Sequence, residues 1–390
     1  MVTNNINFIP YGRQFIDSKD IKEVSKSLKA KLITTGKYVK ILEKNIEKKF
    51  QAKYAVTCTS GTAALHLSFL SLGIKRDDVV IMPSINFIAS YSLCKMLKAK
   101  IYLADIDQKT GQITPELLEK CIKQNKIKKI KLIITMYLGG YPRNLKEIYS
   151  FKKKYNCYLL EDACHALGAT YKINNKKRFI GSNDYSDICV FSLHPLKTIT
   201  SGEGGIVTTK NKEIYRKIKL FRSHGIIRNK KKHWKYDVIT PGFNYRLSDI
   251  NCALALSQLK KIDKFVNYRK KIFLEYKENL SQIKNLSIIN YDNKTNPSFH
   301  LVLLNFSVNN PLKFKEKLLI NLKKRGIYAQ YHYIPIYKFS IYKQTMKLPN
   351  TERFYNSSIS LPIYYNLKIK EVKKITNYLK KIIKTNVKKI

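Results

Sequence analysis

One lysine in this chain stands where a lysine can do covalent chemistry. The segment Ser192-Leu193-His194-Pro195-Leu196-Lys197 follows an apolar, strand-like run, Ile188 to Phe191, and leads into the Gly-rich stretch Ser201-Gly202-Glu203-Gly204-Gly205. A strand end fixes the base of the side chain. A flexible glycine segment behind it leaves the amine free to reach a carbonyl and form a Schiff base. The chain has 74 Lys and Arg residues, so only its neighbours can single Lys197 out.

Three further segments supply them. Thr59-Ser60-Gly61-Thr62-Ala63 lies between a strand and a helix, where free N–H groups, two hydroxyls and a glycine make a cradle for an anion. Glu161-Asp162-Ala163-Cys164-His165-Ala166-Leu167-Gly168 follows the strand Tyr158 to Leu160, and a carboxylate at such an end points into the ligand crevice of a parallel sheet. There it can hold a heteroaromatic nitrogen protonated. Phe87 follows Met82-Pro83-Ser84 at another strand end and can stack on a planar ligand. Taken alone, these also read as a helix cap, a surface carboxylate and a core aromatic. His165 and His194 alone read equally well as packed or hydrogen-bonded histidines. Together, with Lys197 about 35 residues after Asp162, they supply a phosphate site, a ring stack, a pyridine-nitrogen partner and a Schiff-base amine. Those are the parts that bind pyridoxal phosphate and use it as an electron sink.

The elements needed to position them are readable. Helices are expected at Asp20–Leu28 and Val39–Phe50, broken by Thr34-Thr35-Gly36. Short apolar strands then alternate with helices: strands Tyr54–Thr57, Val79–Met82, Ile101–Leu103, Ile130–Met136 and Tyr158–Leu160, and helices Thr62–Leu72, Phe87–Leu97, Pro115–Gln124 and Leu145–Tyr155. That alternation implies an α/β fold with a parallel sheet covered on both faces. After about residue 245 the pattern shifts to a helix at Ser248–Gln258 and a long Lys-rich helix near 263–281. A smaller α+β region follows, with strands at His300–Phe306 and Ala329–His332 and a helix at Leu312–Arg325. The last helix places Leu367, Val372, Ile375, Leu379 and Ile382/Ile383 on one face. We divide the chain into residues 1–250, an N-terminal arm and large cofactor-binding domain, and 251–390, a linking helix and small C-terminal domain.

Composition narrows the classes. The 390 residues carry a net charge of +47, which raises the prospect of a polyanion partner. The lysines are spread along the whole chain among abundant Ile, Asn and Tyr, and no nucleic-acid-binding signature is present. The charge therefore reads as compositional drift, with no specific nucleic acid as partner. No run of about 18 apolar residues suggests a membrane span, and Met1-Val2-Thr3-Asn4-Asn5 lacks the layout of a signal peptide. Seven cysteines are scattered without metal-ligand spacing; they read as reduced thiols, no metal is expected, and the expected location is cytoplasmic.

Across nearly its whole length the chain resembles the DegT/DnrJ/EryC1/StrS family of sugar aminotransferases. The resemblance rests on Pro10-Tyr11-Gly12, Leu32-Ile33-Thr34-Thr35-Gly36-Lys37, Ser60-Gly61-Thr62-Ala63-Ala64-Leu65, the Glu161–Gly168 and Lys197 segments, Arg222-Ser223-His224-Gly225, Gly242-Phe243-Asn244-Tyr245-Arg246-Leu247 and Gln330-Tyr331-His332-Tyr333-Ile334-Pro335. It implies the aspartate aminotransferase fold (fold type I) with a mostly parallel sheet in the large domain, pyridoxal 5'-phosphate as cofactor, and a homodimer with shared active sites.

It also implies roles. Lys197 would form the Schiff base and shuttle the proton. Asp162 would pair with the pyridine nitrogen, Phe87 would stack on the ring, and His165 would lie near the ring hydroxyl. Ser60, Gly61, Thr62 and Ser192 would belong to the phosphate site, joined by Asn244 from the second subunit. Tyr11, Lys31, Leu32, Ile33, Thr34, His194, Gln330, Tyr331, His332 and Tyr333 would line the sugar-nucleotide pocket. Within the family, the lysine segment, Arg222-Ser223-His224-Gly225 and Ala329–Tyr337 look most like the flagellin-sugar branch of the pseudaminic acid pathway. That branch uses L-glutamate to aminate C4 of a UDP-linked 4-keto-6-deoxy-N-acetylhexosamine. Relatives acting on other keto nucleotide sugars, of the perosamine or 4-amino-arabinose type, share most of these motifs. Cys164 stands where many relatives have Ala or Ser, and Leu193 and Leu196 replace a common Phe and Val or Ile. These changes bear on pocket shape rather than on cofactor chemistry.

Overall fold

The computed structural model describes residues 8–387 except Lys230 and His233, with side chains described as far as residue 383. In chain order the strands are β1 (Tyr54–Cys58), β2 (Val79–Pro83), β3 (Lys100–Ala104), β4 (Leu132–Met136), β5 (Tyr158–Asp162), β6 (Thr170–Ile173), β7 (Lys176–Phe179), β8 (Ile188–Ser192), β9 (Gly205–Thr209), β10 (Ile226–Arg228), β11 (Tyr236–Val238), β12 (Leu286–Ile288), β13 (Thr295–Asn296), β14 (Val302–Phe306) and β15 (Ser358–Leu361). The helices are α1 (Ser18–Leu28), α2 (Lys37–Phe50), α3 (Gly61–Ser71), α4 (Ala89–Met96), α5 (Pro115–Gln124), α6 (Leu145–Tyr155), α7 (Lys212–Arg222), α8 (Asp249–Leu259), α9 (Ile262–Leu280), α10 (Pro311–Lys324), α11 (Pro349–Ser357) and α12 (Ile369–Val387).

The central sheet has seven strands in the order β1-β9-β8-β5-β4-β2-β3. Strands β8, β5, β4, β2 and β3 pair in parallel, as the alternating pattern implies. Between β8 and β1 runs β9, antiparallel to both. Its direction has a local cause. The link from β8 to β9 is the lysine segment, folded as turns with no helix, so the chain doubles back instead of crossing over.

Successive strand residues enter different cores. Val80, Leu132, Leu160 and Ile188 pack on one face, while their neighbours Ile81, Ile133, Leu159 and Cys189 are buried on the other. A sheet covered on both faces needs apolar residues at every position, which is why its strands read as unbroken apolar runs. On the edge, α2 packs on β1, and α8 packs on both α1 and α2.

Asp249 fixes that edge. It is fully buried, and its carboxylate accepts the N–H groups of Gly36 (2.7 Å) and Tyr38 (2.8 Å) at the start of α2. A Cβ on Gly36 would stand 2.8 Å from that carboxylate, so the break at Thr34-Thr35-Gly36 is also a docking point.

A smaller antiparallel sheet, β12-β14-β15, lies after residue 280, with α9 packed on α12. Three expectations need correcting. Ala329–His332 is not a strand: only Gln330 bridges, to Ser360, before the chain turns toward the cavity that His332 and Tyr333 line. Phe87 lies in the turn before α4 rather than inside the helix. The glycine stretch behind Lys197 is not a free tether either: Gly204 and Gly205 are buried, and a Cβ on Gly204 would meet Ser201 Oγ at 2.4 Å.

Candidate active site

The carboxyl ends of β1, β2, β4, β5 and β8 all face one side of the sheet, where ligands of open α/β folds bind. A cavity of about 400 Å³ opens there. Its wall brings together residues far apart in the chain: Tyr11, Ser60, Gly61, Thr62, Phe87, Asp162, His165, Ser192, His194, Lys197, His332 and Tyr333.

Ser60 caps α3, its Oγ accepting the Ala63 N–H at 3.0 Å. Helix geometry leaves the N–H groups of Gly61 and Thr62 without intrahelical acceptors, an anion site at the positive end of the helix dipole. Gly61 is required by closeness, since a Cβ there would stand 3.0 Å from the Cβ of Ser192. The Thr62 side chain is exposed at the mouth of this cradle.

Opposite the cradle, Asp162 ends β5 and is 2% exposed. Its Oδ1 accepts the Cys164 N–H at 3.2 Å, and Ser90 Oγ lies 3.5 Å from Oδ2. Burial raises its pKa, while the donors at Cys164 and the nearby Lys197 charge oppose the rise. No cation bonds it directly among the described residues. A protonated ring nitrogen would supply the missing charge-assisted partner.

Lys197 sits in the turn after β8, half-buried, its N–H donating to the His194 carbonyl at 2.9 Å. Burial lowers its amine pKa, opposed by the nearby Cys164 and Asp162. More of the amine is therefore neutral near pH 7, the form that attacks a carbonyl. Phe87 is 52% exposed and leans edge-on toward Tyr333, 5.8 Å between centroids. A buried carboxylate lacking a cation, a lysine with a depressed pKa, an open aromatic face and a helix-start anion cradle fit pyridoxal phosphate.

Other expected residues lie elsewhere in this single chain. Asn244 is exposed and bridges Ser223. Lys31, Leu32, Ile33 and Thr34 are exposed, Thr34 bridging Ser248. Gln330 is exposed beside Ser360, and Tyr331 packs against Tyr355 with 5.8 Å between ring centroids.

The structure adds residues that reading motif by motif missed. His300 lines the cavity and packs against His165, tilted, with 4.2 Å between ring centroids. Its only sequence signal is a histidine opening an apolar run. Gly139 reaches His165 through its backbone N–H at 3.2 Å, and the Gly139-Gly140 pair after β4 was a signal available in the sequence. Cys164 and Glu203 also reach the wall.

Comparison with known proteins gives this cavity a family. The DegT/DnrJ/EryC1/StrS aminotransferase family matches residues 14–380. The chain is 38% identical over 381 residues to the UDP-4-amino-4,6-dideoxy-N-acetyl-beta-L-altrosamine transaminase of Campylobacter jejuni, covering 96% of this chain and 97% of that protein. Among solved structures, Helicobacter pylori PseC, an aminotransferase involved in the biosynthesis of pseudoaminic acid, superposes with a TM-score of 0.89 at 30% identity, over 97% of this chain and 100% of that one. Spr1654 from Streptococcus pneumoniae, solved in its PLP form, gives 0.88 at 26% identity, over 97% and 99%. A family match along almost the whole chain, on a fold whose cavity is made for the cofactor, settles the class: this chain belongs to the DegT/DnrJ/EryC1/StrS aminotransferase family and is a pyridoxal-phosphate-dependent sugar aminotransferase.

Proposed function

We propose that the enzyme moves an amino group from L-glutamate to C4 of a UDP-linked 4-keto-6-deoxy-N-acetylhexosamine, giving UDP-4-amino-4,6-dideoxy-N-acetyl-β-L-altrosamine for pseudaminic acid. The observation that supports this substrate is the 38% identity, across 96% of the chain, to a transaminase named for that product.

In this reading Gly61, Thr62 and Ser192 hold the cofactor's phosphate, Asp162 its ring nitrogen and Phe87 its ring face. Pyridoxal phosphate supplies an electron sink for the carbon that gains or loses the amine. Lys197 moves the proton at sugar C4, a task for which burial suits it by lowering its pKa. His194 and Tyr11, on the open side of the cavity, orient the sugar.

The same reading includes a homodimer that completes each site with Asn244 of the second subunit. It is supported by the exposed apolar side chains Ile227, Tyr236, Val238 and Ile239 around the β10–β11 hairpin, and by Leu32 and Ile33. A cytoplasmic setting suits the seven unpaired thiols.

The test is incubation of the purified holoenzyme with glutamate and a panel of 4-keto sugars on UDP and dTDP, followed by NMR assignment of C4 in the product. The expected result is amination of the UDP-linked N-acetylated substrate with the altro configuration. Preference for a dTDP sugar, or the opposite configuration at C4, would overturn the substrate but not the family.

A further inference from the structure

The cavity wall contains a chain of hydrogen bonds whose direction is set by the backbone. Gly139, at φ +71°, donates its N–H to His165 Nδ1 at 3.2 Å. The turn is clamped by the irregular segment that leads into β14. His300 N–H donates to the Gly139 carbonyl at 2.9 Å, and Ser298 Oγ to the His165 carbonyl at 2.6 Å. A Cβ on Gly140 would stand 2.1 Å from Ser298 Oγ and 2.5 Å from that carbonyl oxygen. The Gly139 amide is thereby held against the His165 ring.

An amide N–H can only donate, so Nδ1 of His165 must be the lone-pair nitrogen. A neutral imidazole carries its one proton on the other nitrogen. His165 is kept neutral by burial and by the nearby Lys197 charge. Its Nε2–H therefore donates to Tyr333 Oη at 2.9 Å. The tyrosine oxygen is the acceptor in that bond, so its own proton goes elsewhere. No described side chain or carbonyl takes it, and Tyr333 lines the cavity.

We propose that Tyr333 is a fixed hydroxyl donor to an acceptor oxygen of whatever occupies the cavity, with its direction imposed by the Gly139 N–H through His165. The inference rests on reading this cavity as the cofactor and sugar site. Two occupants offer the same chemistry, the ring oxygen of pyridoxal phosphate and the C4 carbonyl oxygen of the sugar. His165 itself has no free valence for either, so the role expected of the histidine beside the ring hydroxyl passes to the tyrosine. His165 and Gly139 are positioning groups, and sequence reading cannot see this because the deciding donor is a backbone amide.

The first test uses the cofactor-free chain. Nitrogen-15 NMR of the His165 ring is expected to show Nε2 protonated and Nδ1 bare at pH 7; a proton on Nδ1 would overturn the proposal. The second uses Tyr333→Phe in the holoenzyme, with circular dichroism to confirm the fold. If the acceptor is the cofactor oxygen, the pH midpoint of the visible absorption band shifts by about one unit and pyridoxal phosphate binds about tenfold more weakly. If it is the sugar oxygen, the band is unchanged and kcat/KM for the keto sugar falls about tenfold or more. An unchanged band together with unchanged kinetics would overturn the proposal. Should no 4-keto UDP-sugar be a substrate, the ring tautomer, the band and cofactor affinity still read out the hydroxyl.

Discussion

Gly205 passes so close to Ser60 that a Cβ on it would stand 2.1 Å from the Ser60 carbonyl oxygen. Gly205 opens β9, opposite Cys58 on one side and Ser192 on the other. One rung of the sheet thus joins the strand that feeds the anion cradle to the strand that feeds the lysine segment. Gly205→Ala must push these apart. Overpacking of this kind costs about 1–3 kcal/mol, and pyridoxal phosphate affinity should fall at least about tenfold as the cradle moves away from Ser192. Fluorescence titration and a thermal melt check this; an unchanged affinity would show that the rung does not set the cradle.

Lys197→Ala removes the only amine on the described cavity wall. The visible band of the lysine-bound cofactor should vanish, and turnover should drop by at least about 10²–10⁴-fold, the usual worth of a positioned acid–base group. The cofactor-free variant should melt no lower than wild type, because burial disfavours the charged lysine in the folded state. A melt far below wild type would show a structural role instead.

Asp162→Asn keeps shape and loses charge. If the carboxylate holds a protonated ring nitrogen, the lost charge-assisted bond is worth about 1.5–3 kcal/mol, or roughly 10–150-fold in turnover. Cofactor affinity should fall less than turnover. Steady-state rates for the two proteins, measured with saturating pyridoxal phosphate, decide; equal rates would remove Asp162 from the chemistry.

Much of this site was legible before the fold was seen, and the reason is geometric. A parallel sheet delivers its strand ends to one side, so Ser60, Phe87, Asp162 and Ser192, each just past an apolar run, had to converge. What stayed hidden depends on long-range closeness or on the backbone. Gly204 and Gly205 look like a tether in one dimension and prove to be packing contacts in three. Gly139 acts through an N–H that every non-proline residue has. His300 arrives from the irregular segment before β14, 103 residues after Lys197, with no periodicity to announce it. The direction of β9 stayed hidden because an apolar run announces a strand but not which way it runs. Asn244 and Lys31–Thr34 lie on exposed segments of the chain, outside the cavity wall.

Behind the cradle, Glu43 and Arg222 are 9% and 8% exposed and joined at 2.7 Å, with both also bonded to Thr57 of β1. Arg222→Met leaves Glu43 charged and buried without its cation. That should cost about 3–5 kcal/mol in urea unfolding. Pairing it with Glu43→Leu should recover most of the loss, because two apolar side chains need no compensation. A double variant as unstable as the single would mean that packing, not charge, sets the cost.

Acid should loosen the cavity wall through His332. Its ring is buried, Nδ1 lies 2.8 Å from Ser360 Oγ, and burial together with the nearby Lys197 charge lowers its pKa from 6.5 to about 3. Above pH 6.5 the ring is neutral whether the chain is folded or not, and its contribution to stability is fully present. As pH falls below 6.5 the unfolded chain takes a proton that the folded chain refuses until about pH 3. Stability is lost across that window, at about 1.4 kcal/mol per pH unit for one such group. His165 and His300 are shifted in the same direction, so the cofactor-free enzyme should weaken steeply on acidification. His332→Asn keeps a polar atom near Ser360 and cannot titrate. Urea unfolding at pH 7, 6 and 5 should show wild type losing about 1 kcal/mol more per unit than the variant between pH 6 and 5. Parallel losses in the two proteins would mean that His332 is protonated in the folded state and that the wall does not exclude charge.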